Sequence, residues 1–304
     1  MNAVTGVVIV NFNAGEALSR CVESVLSQHE TTRILLADNA STDRSAETVQ
    51  AQYGQLDTVE VHLNGENLGF ARAVNRAAAS AHIESADWLL ILNPDCELFP
   101  GALAALREAL ERNPSHGLAG PMVVDRHGEP LRGTYRRFPD PWRSLLTFTG
   151  LWRLGRFLPL FEGIEPVATL PETITHAEAV SGACMLLPRQ LFLEAGGFDE
   201  GYGLHCEDLD WCMRFRAHGW KIYFVPDARV THFLGVCGRT RPVFVEWHKH
   251  KGMIRFYRKF FRHQYPGVLM WLVSLGVWLR FAATAVYHTV TGLAGRLRRN
   301  RDRA

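Results

Sequence analysis

The 304-residue sequence predicts an α/β domain on a largely parallel sheet, followed by an apolar, basic helical tail. Three observations predict it. Short apolar runs alternate with helix-period segments through the first 125 residues, which implies right-handed βαβ units with helices on both faces. Polar clusters follow those apolar runs, at the strand ends where such sheets bind ligands. The charge also changes sign along the chain. Residues 1–248 hold 21 Lys and Arg against 30 acids, whereas residues 249–304 hold 12 against Asp302 alone.

The first apolar run, Val7–Val10, predicts a buried strand. Leu18, Cys21, Val22, Val25 and Leu26 then share one helix face. The pattern repeats with a strand at Ile34–Ala37 and a helix near Ser45–Tyr53, then a strand at Val59–Leu63 and a helix over Phe70–Ala81. A strand at Trp88–Leu92, a helix at Leu103–Leu110 and a fifth strand at Leu118–Val124 follow. Residues 126–175 lose this regularity to six prolines and predict a long connection over the ligand-binding face, able to act as a lid. Order resumes at Ala179–Leu187, with a helix at Arg189–Ala195, a turn at Gly196-Gly197, a helix at Asp208–His218 and a strand at Lys221–Val225.

The tail is different. Apart from Arg280, residues 267–295 carry no charge, and Lys and Arg cluster on both sides, from Lys249 to Arg262 and from Arg296 to Arg303. Gly276, Arg280, Thr284, His288 and Gly292 recur every four residues as a small and polar stripe. A charge at the centre of a lone span is costly. The reading is therefore one or two helices lying in a membrane interface, with basic flanks on anionic lipid. A true span and a helix packed on the domain are the alternatives.

Composition narrows the class. With 47% hydrophobic and 21% charged residues the chain can bury a core, which excludes disordered, collagen-like and coiled-coil chains. Cysteines 21, 96, 184, 206, 212 and 237 include no CxxC pair, which argues against a thiolate zinc site and fits a reducing cytosol. Gly6–Val10 is too short for a signal-peptide core.

Four constellations can carry chemistry. Asp38-Asn39-Ala40-Ser41-Thr42-Asp43 ends a strand and opens a helix. Ser41 and Asp43 read as caps, and Asp38 as a ligand for a base or ribose. Asn93-Pro94-Asp95 puts a carboxylate at a strand end, suited to Mg²⁺ or Mn²⁺ shared with phosphates, although the tripeptide is also a good turn. Glu207-Asp208-Leu209-Asp210 holds three acids at a helix start, more than a cap requires, and two neighbouring acids raise each other's pKa as a general base needs. Asp210 stands four residues before Arg214, so it also suits a helix ion pair. His232 can complete a metal site with Asp95, or be structural.

Together the segments Val7–Asn13, Ala37–Asp43, Asn67–Ala71, Leu92–Asp95, Ser181–Ala183, Gly197–Glu200 and Glu207–Asp210 resemble glycosyltransferase family 2, and most of all its bacterial rhamnosyltransferase-like members. The resemblance covers about residues 5–260 and rests on the order and spacing of the motifs. It implies a GT-A fold: a mixed, mostly parallel sheet flanked by helices, with residues 1–125 as the nucleotide-sugar half and 126–248 as the acceptor-binding and catalytic half. Residues 249–304 are then the membrane-associating extension. It implies inverting, metal-dependent sugar transfer from a nucleotide diphosphate. Asn13, Asp38, Asn39, Asn67, Arg72 and Asn93 then fall on the donor, Asp95 and His232 on Mg²⁺ or Mn²⁺, and Asp208, supported by Glu207, on the acceptor hydroxyl. By resemblance the donor is dTDP-rhamnose first and a UDP-sugar second. The acceptor is a polyprenyl-diphosphate-linked or other glycan, met on the cytoplasmic face of the membrane during cell-surface polysaccharide synthesis.

The QxxRW motif of processive synthases is absent, which implies one sugar added per encounter. A nucleotidylyltransferase would show a Gly-rich loop with Arg and Lys after the first strand, and Asn11–Gly15 offers none. An inactive membrane scaffold would not need Asp38, Asp95 and Asp208 together. Nucleic acid is not expected as a partner, because the basic residues flank an apolar stretch instead of forming an exposed strip.

Overall fold

A strand covered by helices on both faces has no wet side, which is why the early strands read as continuous apolar runs. In the computed structural model, which describes residues 3–113, 117–165, 170–233 and 242–301 and side chains as far as residue 291, β1 (Thr5–Asn11) is buried throughout. The units α1 (Glu16–Leu26), β2 (Thr32–Asp38), α2 (Ser45–Tyr53), β3 (Val59–Leu63), α3 (Phe70–Ala78) and β4 (Trp88–Leu92) follow in the expected alternation. Helix α1 buries Leu18, Cys21, Val22 and Val25, the face its apolar spacing predicts. β2 and β4 pair with β1 in parallel, with Asn11 opposite Asp38 and Ile9 opposite Leu92.

After β4 the chain departs from simple alternation. A short β5 (Cys96–Leu98) leads to α4 (Ala102–Glu111) and β6 (Gly117–Val124). The stretch expected to be an irregular connection contains β7 (Tyr135–Arg136), α5 (Pro141–Thr149), two 3-10 turns and β8 (Thr175–His176). Asp140 caps α5 by accepting from the Arg143 amide at 2.8 Å. The expected strand over Ala179–Leu187 divides into β9 (Ala179–Val180) and β10 (Cys184–Pro188), separated by Ser181-Gly182-Ala183. Helix α6 (Arg189–Glu194), helix α7 (Glu207–Ala217) and β11 (Lys221–His232) complete this part. β11 runs seven residues past its expected end, with a register shift between Val225 and Arg229 where Pro226 cannot donate to the ladder.

The main sheet runs β3-β2-β1-β4-β10-β6-β11-β5, with β8 on β11, and β7 pairs with β9 apart from it. β10 is antiparallel to both β4 and β6, so the sheet is mixed. β4, β6 and β11 therefore point the same way, and their carboxyl ends share one edge with those of β1 and β2.

Met1–Glu200 and Glu207–Cys237 form one compact unit. Gly201–Cys206 and Gly238–Ala304 form the second. In it, α8 (Pro242–Phe260) packs on α9 (Gly267–Arg301) through Trp247, whose ring lies 5.0 Å from that of Trp278. α9 is one continuous helix, long and apolar enough to cross a membrane over Gly267–Thr291. Its far side exposes Val268, Trp271, Leu272, Leu279 and Val286, and Gly276 and Arg280 are exposed with them. Thr284 and His288 are half-buried, so the four-residue stripe does not form one face of the packing. Cys237 and Gly238, and the side chains of Gly292 and of the basic run Arg296–Arg303, lie outside the described residues.

Candidate active site

The strand ends deliver the sequence-predicted residues to one edge of the sheet. At the end of β2, the buried Asp38 accepts from Asn11 Nδ2 at 2.7 Å, Ser41 Oγ at 2.6 Å and the Ser41 amide at 3.0 Å. Asn13 takes a left-handed backbone (φ 55°), and its Oδ1 accepts from the Thr42 amide at 2.7 Å. The caps expected at Ser41 and Asp43 do not form, because the N-cap of α2 is left-handed Arg44 (φ 64°) with no side-chain cap; Asp43 instead accepts from the Ser45 amide at 3.0 Å and the Gly15 amide at 2.7 Å, tying the turn together. Asn39 donates to the Gly69 carbonyl and accepts from Asn64 at 2.9 Å. Asn67 Oδ1 receives the Gly69 amide at 2.9 Å, so it shapes the loop entering α3. Arg72 reaches across to Glu200 at 3.1 Å.

From β4 the chain turns through Asn93-Pro94-Asp95 into β5, and β5 runs antiparallel to the end of β11, with Cys96 opposite His232. That pairing brings His232 Nε2 within 3.1 Å of Asp95 Oδ1, and both side chains are largely buried. Two ligands on adjacent corners of an octahedral site with bonds near 2.1 Å stand about 3 Å apart, so the pair fits Mg²⁺ or Mn²⁺. Cys96 is close by, but burial and the Asp95 charge push its thiol well above the usual range, which disfavours a thiolate ligand. Among the described residues this is the one group of three potential ligand side chains.

Asp208 stands in the first turn of α7, preceded by left-handed His205 (φ 65°) and Cys206 (φ 70°). Its Oδ2 accepts from the Gly182 amide at 3.3 Å and from Arg136. A Cβ on Gly182 would lie 2.8 Å from that of Asp208, so only glycine allows this approach. The next residue, Ala183, accepts from the Asn93 amide at 2.8 Å. An unbroken series of contacts thus joins Asp208 through Gly182, Ala183 and Asn93 to the Asp95–His232 pair. Asp38 stands two strands over from β4, about 10 Å away.

Glu207 is buried, and its Oε2 has no hydrogen-bond partner among the described residues. Burial first, and the Asp208 charge second, push its carboxyl up to about 8, so at neutral pH Glu207 retains its proton. Asp210 is fully buried and accepts from Arg214 Nε at 2.7 Å. Arg214 also donates to the carbonyls of Ala195 and Gly197, each at 2.5 Å. The third acid of the cluster is therefore a helix ion pair that clamps the Gly196-Gly197 turn. Arg136 is the residue that sequence reasoning missed. It lies in a two-residue strand inside the proline-rich stretch, where no periodicity marks it. It also lines a pocket of about 360 Å³ with Tyr135, Arg137, His176, Arg216 and Trp220.

Comparison with known proteins places the chain in a family. A family model described as glycosyl transferase family 2 matches residues 6–163, and one described as glycosyl transferase family group 2 matches residues 88–294. A Mycobacterium tuberculosis protein named N-acetylglucosaminyl-diphospho-decaprenol L-rhamnosyltransferase is 32% identical over 76% of this chain and 76% of its own. The Escherichia coli rhamnosyltransferase WbbL is 24% identical over 75% of this chain and 82% of its own. Among solved structures, GalNAc-T7 with UDP, GalNAc and Mn²⁺ superposes with a TM-score of 0.59 at 21% identity, over 76% of this chain and 44% of that one. The mannosyltransferase PcManGT of Pyrobaculum calidifontis, solved with GDP-Man and Mn²⁺, gives 0.58 at 14% identity, over 96% and 80%. At these identities the superpositions establish the GT-A fold. With its sheet, its motif order and a relative above 30% identity in agreement, the chain belongs to glycosyl transferase family 2, as a rhamnosyltransferase-like member.

Proposed function

We propose that this enzyme is an inverting, non-processive transferase that moves a sugar from a nucleotide diphosphate to a polyprenyl-diphosphate-linked acceptor. The donor is dTDP-rhamnose first and a UDP-sugar second, and the work is done on the cytoplasmic face of the membrane during cell-surface glycan synthesis. The observation that supports this reading is the contact series that links Asp208 to the Asp95–His232 pair on one edge of the sheet, as a proton acceptor and a cation site for the leaving diphosphate would need. The acceptor chemistry follows the name of the M. tuberculosis relative.

In this reading residues 1–125 hold the donor. Asp38 and Asn39 receive the base, Asn13 lies beside them, and Asn67, Arg72 and Asn93 line the donor side. Asp95 and His232 would hold a divalent cation, which when bound neutralises the departing diphosphate. Residues 126–248 hold the acceptor. Asp208 takes the proton of the acceptor hydroxyl as its oxygen bonds the anomeric carbon. The bond from that carbon to the diphosphate breaks, its electron pair leaves with the diphosphate, and a single displacement inverts the centre. Residues 249–304 keep the enzyme on the membrane, where lipid acceptor and soluble donor meet.

A thermal-shift and turnover screen with dTDP-, UDP- and GDP-sugars, with and without Mg²⁺ or Mn²⁺, tests the reading. The expected result is a metal-dependent shift with one nucleotide class and sugar transfer with net inversion. No shift with any nucleotide and metal would overturn it.

A further inference from the structure

We propose that residues 141–161 form a membrane-insertion element that docks the catalytic unit itself on an anionic bilayer, separately from the C-terminal helices. In α5, Trp142, Leu145 and Phe148 stand at i, i+3 and i+6 and are exposed, while Leu146 is fully buried and anchors the helix. Leu151, Phe157 and Leu160 continue the apolar surface through the two 3-10 turns. Phe148, Phe157 and Leu160 are 66%, 67% and 70% exposed. Single exposed apolar residues need no explanation, but a run of them on one short stretch does. The other large exposed apolar side chains of this unit, Leu56, Leu63, Phe99, Ile174 and Leu193, come from five separate segments.

Charge identifies the occupant. Residues 141–161 contain three Arg and no acid, whereas the rest of residues 1–248 carries 18 Lys and Arg against 30 acids; Arg143 is held by Glu178 and Asp140, so Arg153 and Arg156 are the charges this stretch offers to a surface. An anionic surface repels the acidic body and attracts this stretch. Arg156 lies 4.4 Å over the Phe157 ring and Arg153 5.2 Å over that of Trp152, a pairing of cation and aromatic ring that suits the boundary between headgroups and acyl chains.

The element is anchored to the active site. Trp142 Nε1 donates to the Leu160 carbonyl at 2.9 Å and draws the two ends together. At the base, Arg137 pairs with Glu162, and its amide donates to the Ile164 carbonyl at 2.8 Å. The preceding residue, Arg136, holds Asp208. Docking here would bring the bilayer to the strand that touches the proton acceptor. The inference needs neither donor nor acceptor to be known.

Hydrogen exchange of the full chain on phosphatidylglycerol vesicles, on phosphatidylcholine vesicles and in solution tests it. The expected result is protection of 141–161 on phosphatidylglycerol alone. The triple variant Phe148→Glu, Phe157→Glu, Leu160→Glu changes exposed positions, so its melting temperature should hold. It should lose that protection while α9 keeps its own, and its vesicle partition should fall about tenfold or more. Equal exchange of 141–161 on vesicles and in solution would overturn the proposal. Protection that appears without vesicles and grows with protein concentration would overturn it too, in favour of a second copy. Equal protection on both lipids would overturn the anionic requirement.

Discussion

Replacing Glu207 with Gln should make the protein more stable, and increasingly so as pH rises. An acid whose folded pKa is about 8 against 4.5 in the unfolded chain binds more protons folded than unfolded between those values. Stability therefore falls as pH rises through that window and levels off above about 8. The gap is worth at most about 5 kcal/mol, at 1.4 kcal/mol for each unit. Gln keeps the shape and cannot ionise, so Glu207→Gln removes the loss. For a unit of this size each kcal/mol moves the melting temperature by about 2 °C, so the difference should approach about 10 °C at pH 8. Thermal melts of both proteins from pH 5 to 9 measure it. The slope of the difference is diagnostic, because any fixed cost of the amide in the site shifts the whole curve equally. A difference that does not change with pH, or that narrows as pH rises, would show that Glu207 is not held neutral and would refute this reasoning.

The remaining predictions address the site and its supports. Asp208→Asn should lower turnover by about 10²- to 10⁴-fold and leave the nucleotide-induced thermal shift in place. Asp95→Ala should abolish the metal-dependent part of that shift, read by titrating Mn²⁺ or Mg²⁺ with the nucleotide present. Gly182→Ala sets a methyl 2.8 Å from the Asp208 Cβ, so turnover should fall tenfold or more while circular dichroism stays native, by the sensitivity of catalysis to misplacement of about 1 Å. Asp210→Ala leaves Arg214 without its buried partner and should cost about 3–5 kcal/mol in chemical denaturation.

Residues 1–125 are legible in the sequence because β1, β2 and β4 are mostly buried and the helices bury one face each. β1 to β4 and α1 to α4 appear as separate apolar periods, and the polar residues after them fall where the strands stop. Residues 126–248 are legible in pieces. β7, β8 and β9 are two residues each, too short for any period, and Arg136 lies in one of them. Pro226 makes β11 look finished at Val225, although the strand resumes after the register shift and ends on His232. Asn93-Pro94-Asp95 scans equally well as a turn, and only the pairing of β5 with β11 shows what the turn delivers. Asp208 and Asp210 look alike in sequence. Their roles part in three dimensions, because one meets Gly182 and Arg136 and the other meets Arg214 inside the core.

The departures from a parallel sheet are what assemble this site. In a purely parallel sheet every strand begins on the edge away from the ligand, and only strand ends reach it. β10 runs the other way, so its start at Cys184 lies opposite Leu92 at the end of β4, and Gly182, two residues before it, receives Asp208 from α7. β5 also runs against β11, which returns the chain from β4 along that same edge and sets Asp95 against His232. Reversing either strand would carry one half of the chemistry to the far edge. Antiparallel β10 and β5 thus let the strand-end residues Asp95 and His232 and the helix residue Asp208 share one edge, and Gly182, with no side chain, is the point where α7 meets that edge.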